Sequence, residues 1–390
     1  NEHSKMRPEA GEKYVGLSIT ECRAKIIEDL TMQNLVEKTE DYEHNIAYCY
    51  RCGSIVENLP SLQWFLKMDE LAKMAIKAVK SGKVKFHPLR WEKIYLDWLK
   101  NVKDWCISRQ IWWGHKIPIE GAEDVLDTWF SSALWPFAIF ENKKDLKKFY
   151  PTNTMVTARD IINLWVARMV FSGLEFMKKA PFQDVIIHAT ILTSEGKRMS
   201  KSLGTGLDPM KFIDQYGADT TRFALIWQTM GTQDIHWSEE ALVAGKKFLN
   251  KIWNASRFTL LQIENQVEIP TKKHLKKLKN LTNADKQILK QLEEIIENTS
   301  KNIDNFEFGQ TLHDLYNFFW HDFCDYYLEN SKAQMASVDL KENTQKILIY
   351  ILSDSLKLLH PFIPHVTEEI WSKMPIKEKS ALIIEKWPTL

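Results

Sequence analysis

The amino-acid sequence predicts an α/β domain followed by an all-helical bundle. The run DVIIHAT (residues 184–190) is short and rich in β-branched residues, which is typical of a buried parallel strand. Apolar residues recur at helical spacing over residues 160–176, directly before that run. From about Ala241 onward glycine nearly disappears and the pattern stays helical to the end. These three features place the sheet in the first part of the chain and the bundle in the second.

Strands and helices alternate in the predicted α/β part. Residues 102–118, VKDWCISRQIWWGHKIP, mix β-branched and aromatic residues ahead of a glycine and a proline, which suits a strand that runs into a loop. With the helix over 160–176 and the strand over 184–190, the order is strand, helix, strand, as in an α/β layer with a parallel sheet. Further on, Asp208 and Pro209 are typical of a helix N-cap and a first helical position.

The predicted bundle contains two strongly apolar stretches. In the first, apolar and aromatic residues follow three- and four-residue spacing: Leu312, Leu315, Tyr316, Phe319, Phe323, Tyr326 and Tyr327. The second, residues 347–359, is apolar almost all round, as expected for a helix buried inside a bundle. The lysines between residues 272 and 279 fall between two helices, where they form either a solvated linker or a phosphate contact.

Composition excludes several classes of protein. The 390 residues are 44% hydrophobic and 26% charged, which suits two or three globular domains and excludes disordered and fibrous chains. The formal net charge is +1, so an anionic partner must meet a local basic surface. No apolar run approaches the roughly 18 residues of a membrane span, and five cysteines do not suggest a disulfide framework. We therefore expect a soluble protein in a reducing compartment, without a membrane partner.

A basic loop rich in glycine and serine, EGKRMSKSLGTG, follows the predicted strand 184–190. Its cations and hydroxyl groups can surround a polyphosphate: Lys197, Arg198, Ser200, Lys201 and Ser202. Loops of this composition also occur as flexible surface turns. The position favours phosphate binding, because ligands of open α/β sheets bind beyond the carboxyl ends of the strands.

The loop sequence RMSKS resembles the KMSKS signature of class I aminoacyl-tRNA synthetases. Further segments resemble the valyl-tRNA synthetase family in the same order along essentially the whole chain: WCISRQIWWGHKIP, DVLDTWFSSALWPF, VTARDIINLWVARM, YGADTTRFALIWQ, FFWHDFCDYYLE and HPFIPHVTEEIW. The isoleucyl family differs after the phenylalanine of DTWF and at WWGH. The resemblance therefore favours valine, with an isoleucyl synthetase or a non-catalytic tRNA-binding paralogue as alternatives.

This resemblance implies a domain organisation. Residues 1–60 would be the tail of an inserted editing or connective domain that carries a CxxC pair. Residues 61–240 would form part of a Rossmann-like catalytic domain that includes the KMSKS-type loop. Residues 241–390 would form a helical anticodon-binding domain. The histidine signature HIGH does not occur in this sequence, so we expect the segment alone to be inactive.

The family also implies a two-step reaction and roles for individual residues. Valine would attack the α-phosphate of ATP, bound with Mg²⁺, and the valyl group would then pass to tRNA(Val). Lys201 and Arg198 would stabilise the negative charge that develops on the phosphates. ATP contacts would come from Lys201 together with Ser200, Ser202, Met199 and His188, although this histidine and the two serines also suit purely structural positions.

A small apolar pocket and a carboxylate would bind valine. The resemblance assigns the pocket walls to Trp129, Ile161 and Trp165, and places Asp160 in contact with substrate or ATP. Ordinary core packing is the alternative for both tryptophans.

The cysteine pair Cys49 and Cys52 has the spacing of two zinc ligands, whereas a tetrahedral Zn²⁺ site needs four. A reduced pair without metal is the alternative. For the whole protein we expect a cytoplasmic monomer.

Overall fold

The computed structural model describes residues 3–49, 52–57, 61–199, 204–230, 234–263, 268–377 and 380–389. Their strands are β1 (Phe65–Leu66), β2 (Lys85–His87), β3 (Trp105–Cys106), β4 (Ser108–Arg109), β5 (Val125–Leu126), β6 (Thr152–Ala158), β7 (Phe182–His188), β8 (Ile191–Leu192) and β9 (Ile235–His236). 

The helices are mainly α-helical. They are α1 (Ile19–Met32), α2 (Asp69–Lys80), α3 (Arg90–Lys100), α4 (Thr128–Ala133), α5 (Trp135–Ala138), α6 (Lys143–Phe149), α7 (Ala167–Ser172), α8 (Pro209–Tyr216), α9 (Ala218–Trp227), α10 (Glu240–Leu261), α11 (Lys272–Leu275), α12 (Asn283–Asp304), α13 (Phe308–Asn317), α14 (Glu329–Met335), α15 (Val338–Leu359) and α16 (Pro364–Lys373). Short 3₁₀ segments and π-helical turns adjoin some of them. No helix in these described ranges is both long and apolar enough to cross a membrane.

The chain divides into two compact units, residues 1–67 with 104–127 and residues 68–103 with 128–390. The predicted domain limits near residues 60 and 240 concern the family's organisation and stay a prediction.

The first unit is built from short antiparallel pairs, β1 with β3 and β4 with β5. One of its buried charged contacts is at Asp127, which is 5% exposed. The Trp105 indole Nε1 donates to Oδ2 of Asp127 at 3.0 Å, and the Arg109 guanidinium lies 2.9 Å from the same oxygen. A buried carboxylate needs such donors, because leaving it unpaired would be strongly unfavourable.

The second unit contains a parallel sheet in the order β2, β7, β6. The central strand β7 is the one predicted from DVIIHAT, and its apolar residues Val185 and Ile187 are 0% and 4% exposed. Between β6 and β7 the chain is helical, with a 3₁₀ turn (Arg159–Ile161) followed by α7 between two π-helical segments. The predicted helix over 160–176 and strand over 184–190 are confirmed.

One predicted strand does not belong to this sheet. Residues 102–118 form only the short strands β3 and β4, which lie in the first unit. The strand that precedes the helix is β6, whose Val156 is 59% exposed. Because β6 is an edge strand with much of its surface in solvent, it lacks the apolar run that marks a buried parallel strand.

The helical bundle follows the predicted pattern. Its core contains side chains with no solvent exposure from several helices, including Phe248, Ile288, Leu312, Phe323 and Leu352. The helix α13 continues through π-helical turns (Phe318–Leu328) into α14, which keeps the predicted aromatic face on the core except for Tyr326, which is 37% exposed. Both the α/β class and the helical bundle are therefore as predicted.

Helix α9 is joined to the bundle by two oppositely charged residues one turn apart. The buried carboxylate of Asp219 accepts hydrogen bonds from the backbone N–H groups of His365 and Val366, at 3.2 and 2.6 Å, in the first turn of α16. Arg222 donates to the carbonyls of Pro361 and Phe362 at 2.8 and 3.0 Å, just after α15. Each charge thus binds the helix end of opposite partial charge.

We expect Asp219→Ala to lower the free energy of unfolding by about 1–3 kcal/mol, because it leaves two N-terminal N–H groups of α16 without their acceptor. Urea unfolding measures the change. Asp214→Ala, at an exposed position on α8, is the matched control and should change stability by less than about 0.5 kcal/mol. Equal effects of the two substitutions would contradict a stabilising role for this contact.

Candidate active site

The parallel pairing of β6 with β7 sets the position of the candidate site. In the register of the two strands Ala158 lies opposite His188, the last residue of each strand. The chain therefore leaves both strands at the same edge of the sheet. Arg159 and Asp160 follow β6 directly, and Thr190 lies two residues beyond β7.

A hairpin over residues 191–198, here called the signature hairpin, follows β7. Its ends are joined by an antiparallel bridge between Leu192 and Arg198, and the Thr193 N–H donates to the Lys197 carbonyl at 2.8 Å. Gly196 forms the turn with a φ of +78°, a conformation that favours glycine. A Cβ atom there would lie 3.0 Å from Cε1 of His236 in β9. The hairpin thus lies directly against β9, with which β8 also pairs.

The signature hairpin also contacts the residues that follow β6. Nη2 of Arg198 lies 2.5 Å from Oδ2 of Asp160. The two side chains are 69% and 44% exposed, so solvent screens the pair and its contribution to stability is small. The contact brings together two of the predicted site residues, one from the basic loop and one from the helix that follows β6.

The two predicted pocket tryptophans lie on helices that contact each other. Trp129 is half-buried in α4, and Trp165 is half-buried in the π-helical segment Ile162–Val166. The indole Nε1 of Trp165 donates to the carbonyl of Ser132, one turn after Trp129, at 2.9 Å. Ile161, also half-buried, adjoins Asp160 at the start of the same helical segment. Of the residues assigned to the valine pocket, Ile161 is thus the chain neighbour of Asp160, and the two tryptophans lie on helical segments that contact each other.

The remaining predicted ATP contacts are only partly described. His188 is exposed, and its ring Nδ1 donates to the neighbouring Ala189 carbonyl at 2.9 Å. Met199 is half-buried. Three predicted residues, Ser200, Lys201 and Ser202, lie outside the described residues.

Sequence reasoning missed Arg159 and Asp234. Nη1 of Arg159 lies 2.9 Å from Oδ2 and 3.2 Å from Oδ1 of Asp234. Oδ1 of Asp234 also accepts the backbone N–H of Thr190 at 3.2 Å. Asp234 directly precedes the two-residue strand β9, but nothing in the local pattern indicates a partner 75 residues away.

The cysteine pair lies on a tight turn. The Cys49 N–H donates to the Ser54 carbonyl and the Gly53 N–H to the Cys49 carbonyl, both at 2.8 Å. Hydrogen bonds from Ser54, first from its hydroxyl and then from its backbone, lower the pKa of the Cys52 thiol to about 7. Thiolate character suits zinc, but the pair supplies two of the four ligands, and the residues the structure describes contain no group of three or more metal-binding side chains. These residues therefore fit only half of a zinc site.

Comparison with known protein families identifies the class. A family model described as class I tRNA synthetases (I, L, M and V) matches residues 34–121 and 119–238, and a model described as the anticodon-binding domain of tRNA ligase matches residues 285–390. The chain belongs to the class I tRNA synthetases of the I, L, M and V group.

Within this class, similar curated proteins are valine–tRNA ligases. The protein from Thermotoga maritima is 44% identical over 412 residues, which cover 98% of this chain and 47% of that protein. The protein from Bacillus licheniformis is 44% identical over 405 residues, which cover 96% and 46% of the two chains. The chain thus spans about half the length of the curated relatives it matches.

Solved structures show the same fold at low identity. A methionyl-tRNA synthetase from Mycobacterium tuberculosis in complex with methionyl-adenylate matches with a TM-score of 0.67 and 17% identity, over 84% of this chain and 65% of that one. A LeuRS from Agrobacterium radiobacter in a ternary complex with tRNA and LeuAMS matches with a TM-score of 0.59 and 18% identity, over 74% and 42%.

We expect Gly196→Ala to weaken the signature hairpin by about 1–2 kcal/mol, because alanine is strained at positive φ and its methyl group would press on His236. Hydrogen exchange of the amides in residues 193–198 should be several-fold faster. The control is Gly121→Ala, a position with φ +79° and no atom within 4 Å of the added Cβ. Unchanged exchange in the Gly196 variant would show that β9 does not restrain the hairpin.

Proposed function

We propose that this chain takes part in the ATP-dependent attachment of valine to its tRNA, as part of a valine–tRNA ligase. The observation that carries the proposal is 44% identity to a valine–tRNA ligase over 98% of the chain. The similarity therefore extends over the basic loop, the helices that carry the two tryptophans and the bundle, and is not limited to one motif.

The basic loop would act in the first step. Attack of the valine carboxylate on the α-phosphate of ATP places extra negative charge on the pentavalent phosphorus and on the departing pyrophosphate. A cation fixed at that position interacts more strongly with the transition state than with bound ATP and so lowers the barrier. We assign this role to Lys201, with Arg198 as a second cation whose planar guanidinium can bind two phosphate oxygens. Mg²⁺ would accompany ATP and share the charge.

Valine would bind between Trp129, Ile161 and Trp165. The hydrogen bond from Trp165 to the Ser132 carbonyl supports this assignment, because it fixes one indole against the helix that carries the other. Asp160 would contact the substrate or ATP at the edge of this pocket. An apolar pocket of this kind excludes larger side chains but rejects threonine only weakly, a limit for which valyl-tRNA synthetases are the usual example.

Other parts of the chain would serve tRNA(Val) and the stability of the whole enzyme. We assign residues 241–390 to anticodon binding, residues 61–240 to the catalytic domain and residues 1–60 to the connection with an editing domain. A zinc ion at Cys49 and Cys52 would need two further ligands. We propose a cytoplasmic monomer.

ATP–pyrophosphate exchange with the full-length protein tests the proposed function. Valine should drive the fastest exchange, threonine a slower one and isoleucine the slowest. Faster exchange with isoleucine would contradict the valine assignment within the class. Absence of exchange with all three amino acids would indicate a non-catalytic paralogue.

We expect Lys201→Ala to slow valine-dependent exchange by at least about 100-fold, because it removes a cation from the developing charge. Affinity for tRNA(Val), measured by filter binding, should change by less than about twofold. Lys144→Ala is the control, since Lys144 is an exposed lysine on α6, outside the basic loop. Loss of folding in the Lys201 variant, seen by circular dichroism, would indicate a structural role for the loop instead.

A further inference from the structure

The residue before the signature hairpin, Thr190, is hydrogen-bonded through its backbone to Asp234 and Ile235. Oδ1 of Asp234 accepts the Thr190 N–H at 3.2 Å, and the next residue, Ile235, donates its own N–H to the Thr190 carbonyl at 2.9 Å. Both polar groups of the Thr190 backbone are therefore satisfied by consecutive residues of one segment. This arrangement fixes the direction in which the chain leaves β7.

The same carboxylate is bound on its other side by Arg159. One guanidinium nitrogen, Nη1, lies within hydrogen-bond distance of both oxygens, at 2.9 and 3.2 Å. The side chains of Arg159 and Asp234 are 36% and 23% exposed, which is less than either partner in the Arg198–Asp160 pair. Weaker solvent screening makes the Asp234 pair the stronger of the two.

Together these contacts form a closed ring. Arg159 and Asp160 are neighbours in the chain. Arg159 reaches Thr190, where the hairpin begins, through Asp234, and Asp160 pairs directly with Arg198, where the hairpin ends. The base contact is shielded and includes backbone groups. The Arg198–Asp160 contact joins two exposed side chains, so phosphate groups can replace the Asp160 carboxylate there without disturbing the contacts of Thr190.

We propose that Asp234 is a positioning residue for adenylate formation, which holds the base of the signature hairpin against Arg159 so that its cations reach the phosphates of ATP. The inference rests on the proposed function, because it assumes that ATP binds beside the hairpin. Asp234 itself would not touch the substrate. It would act through its contacts with Thr190 and Arg159.

The kinetic test compares Asp234→Asn and Asp234→Glu in the full-length protein by ATP–pyrophosphate exchange. We expect Asp234→Asn to lower kcat/KM for ATP by at least about tenfold while KM for valine stays within about twofold. Asp234→Glu should recover part of the loss, because it keeps the charge. Adding Arg159→Met to Asp234→Asn should cause little further loss, as expected for residues that act through one contact.

Asp325→Asn is the matched control. Asp325 pairs with Lys251 at 2.9 Å, with the two side chains 47% and 32% exposed, but in the helical bundle. This variant should exchange pyrophosphate at the rate of the unchanged protein.

A second measurement needs no activity. Trypsin cleaves after Lys197 and Arg198, and mass spectrometry should show this cleavage to be several-fold faster in Asp234→Asn than in Asp325→Asn. If the unchanged protein gives no valine-dependent exchange, the proposed function fails, whereas the cleavage rates still decide whether Asp234 restrains the hairpin.

Two results would overturn the inference. In one, Asp234→Asn matches Asp325→Asn in both exchange and cleavage. In the other, Asp234→Asn loses its near-ultraviolet circular dichroism, which would make Asp234 a residue of general stability and not of hairpin position.

Discussion

The register between β6 and β7 is the constraint on which the candidate site depends. Because Ala158 lies opposite His188, the residues that follow the two strands emerge side by side at one edge of the sheet. A shift of one residue would reverse the faces of β6 and carry Arg159 and Asp160 away from the hairpin. The buried apolar side chains of the central strand β7 prevent that shift. Core packing thus determines the geometry of a polar site that contributes little to stability itself.

Helix α9 is joined to the bundle through a separate pair of opposite charges. Asp219 and Arg222 lie one turn apart on α9 and bind the N-terminal amides of α16 and the carbonyls after α15. These contacts are specific for the sign of the charge. The free N–H groups at a helix N-terminus bind an anion, and the free carbonyl groups at a C-terminus bind a cation.

The sequence predicted elements whose signals are local. The buried strand over 184–190, the helix start at Asp208 and the aromatic face of the bundle all follow from spacing within a few residues. The edge strand β6 was missed because its exposed surface removes the apolar signal. The bond between Asp234 and Arg159 was missed for a different reason: it joins residues 75 positions apart, and hydrophobic periodicity carries no information on such pairs. The site residues assigned by family resemblance stay predictions.

The cations of the signature hairpin already pair with carboxylates of this chain. Lys197 pairs with Glu195 and Arg198 with Asp160, so two cations of this loop already face carboxylates. Phosphate binding would then exchange one anion for another, and its free energy would be the difference between the two interactions. That difference favours a polyphosphate, which carries more charge than a single carboxylate and offers several oxygens to a guanidinium. Because solvent already screens the exposed carboxylate pairs, breaking them costs little. If ATP binds beside the hairpin as proposed, fixed contacts at Thr190 combined with exchangeable cations at Lys197 and Arg198 would let the hairpin exchange partners without unfolding.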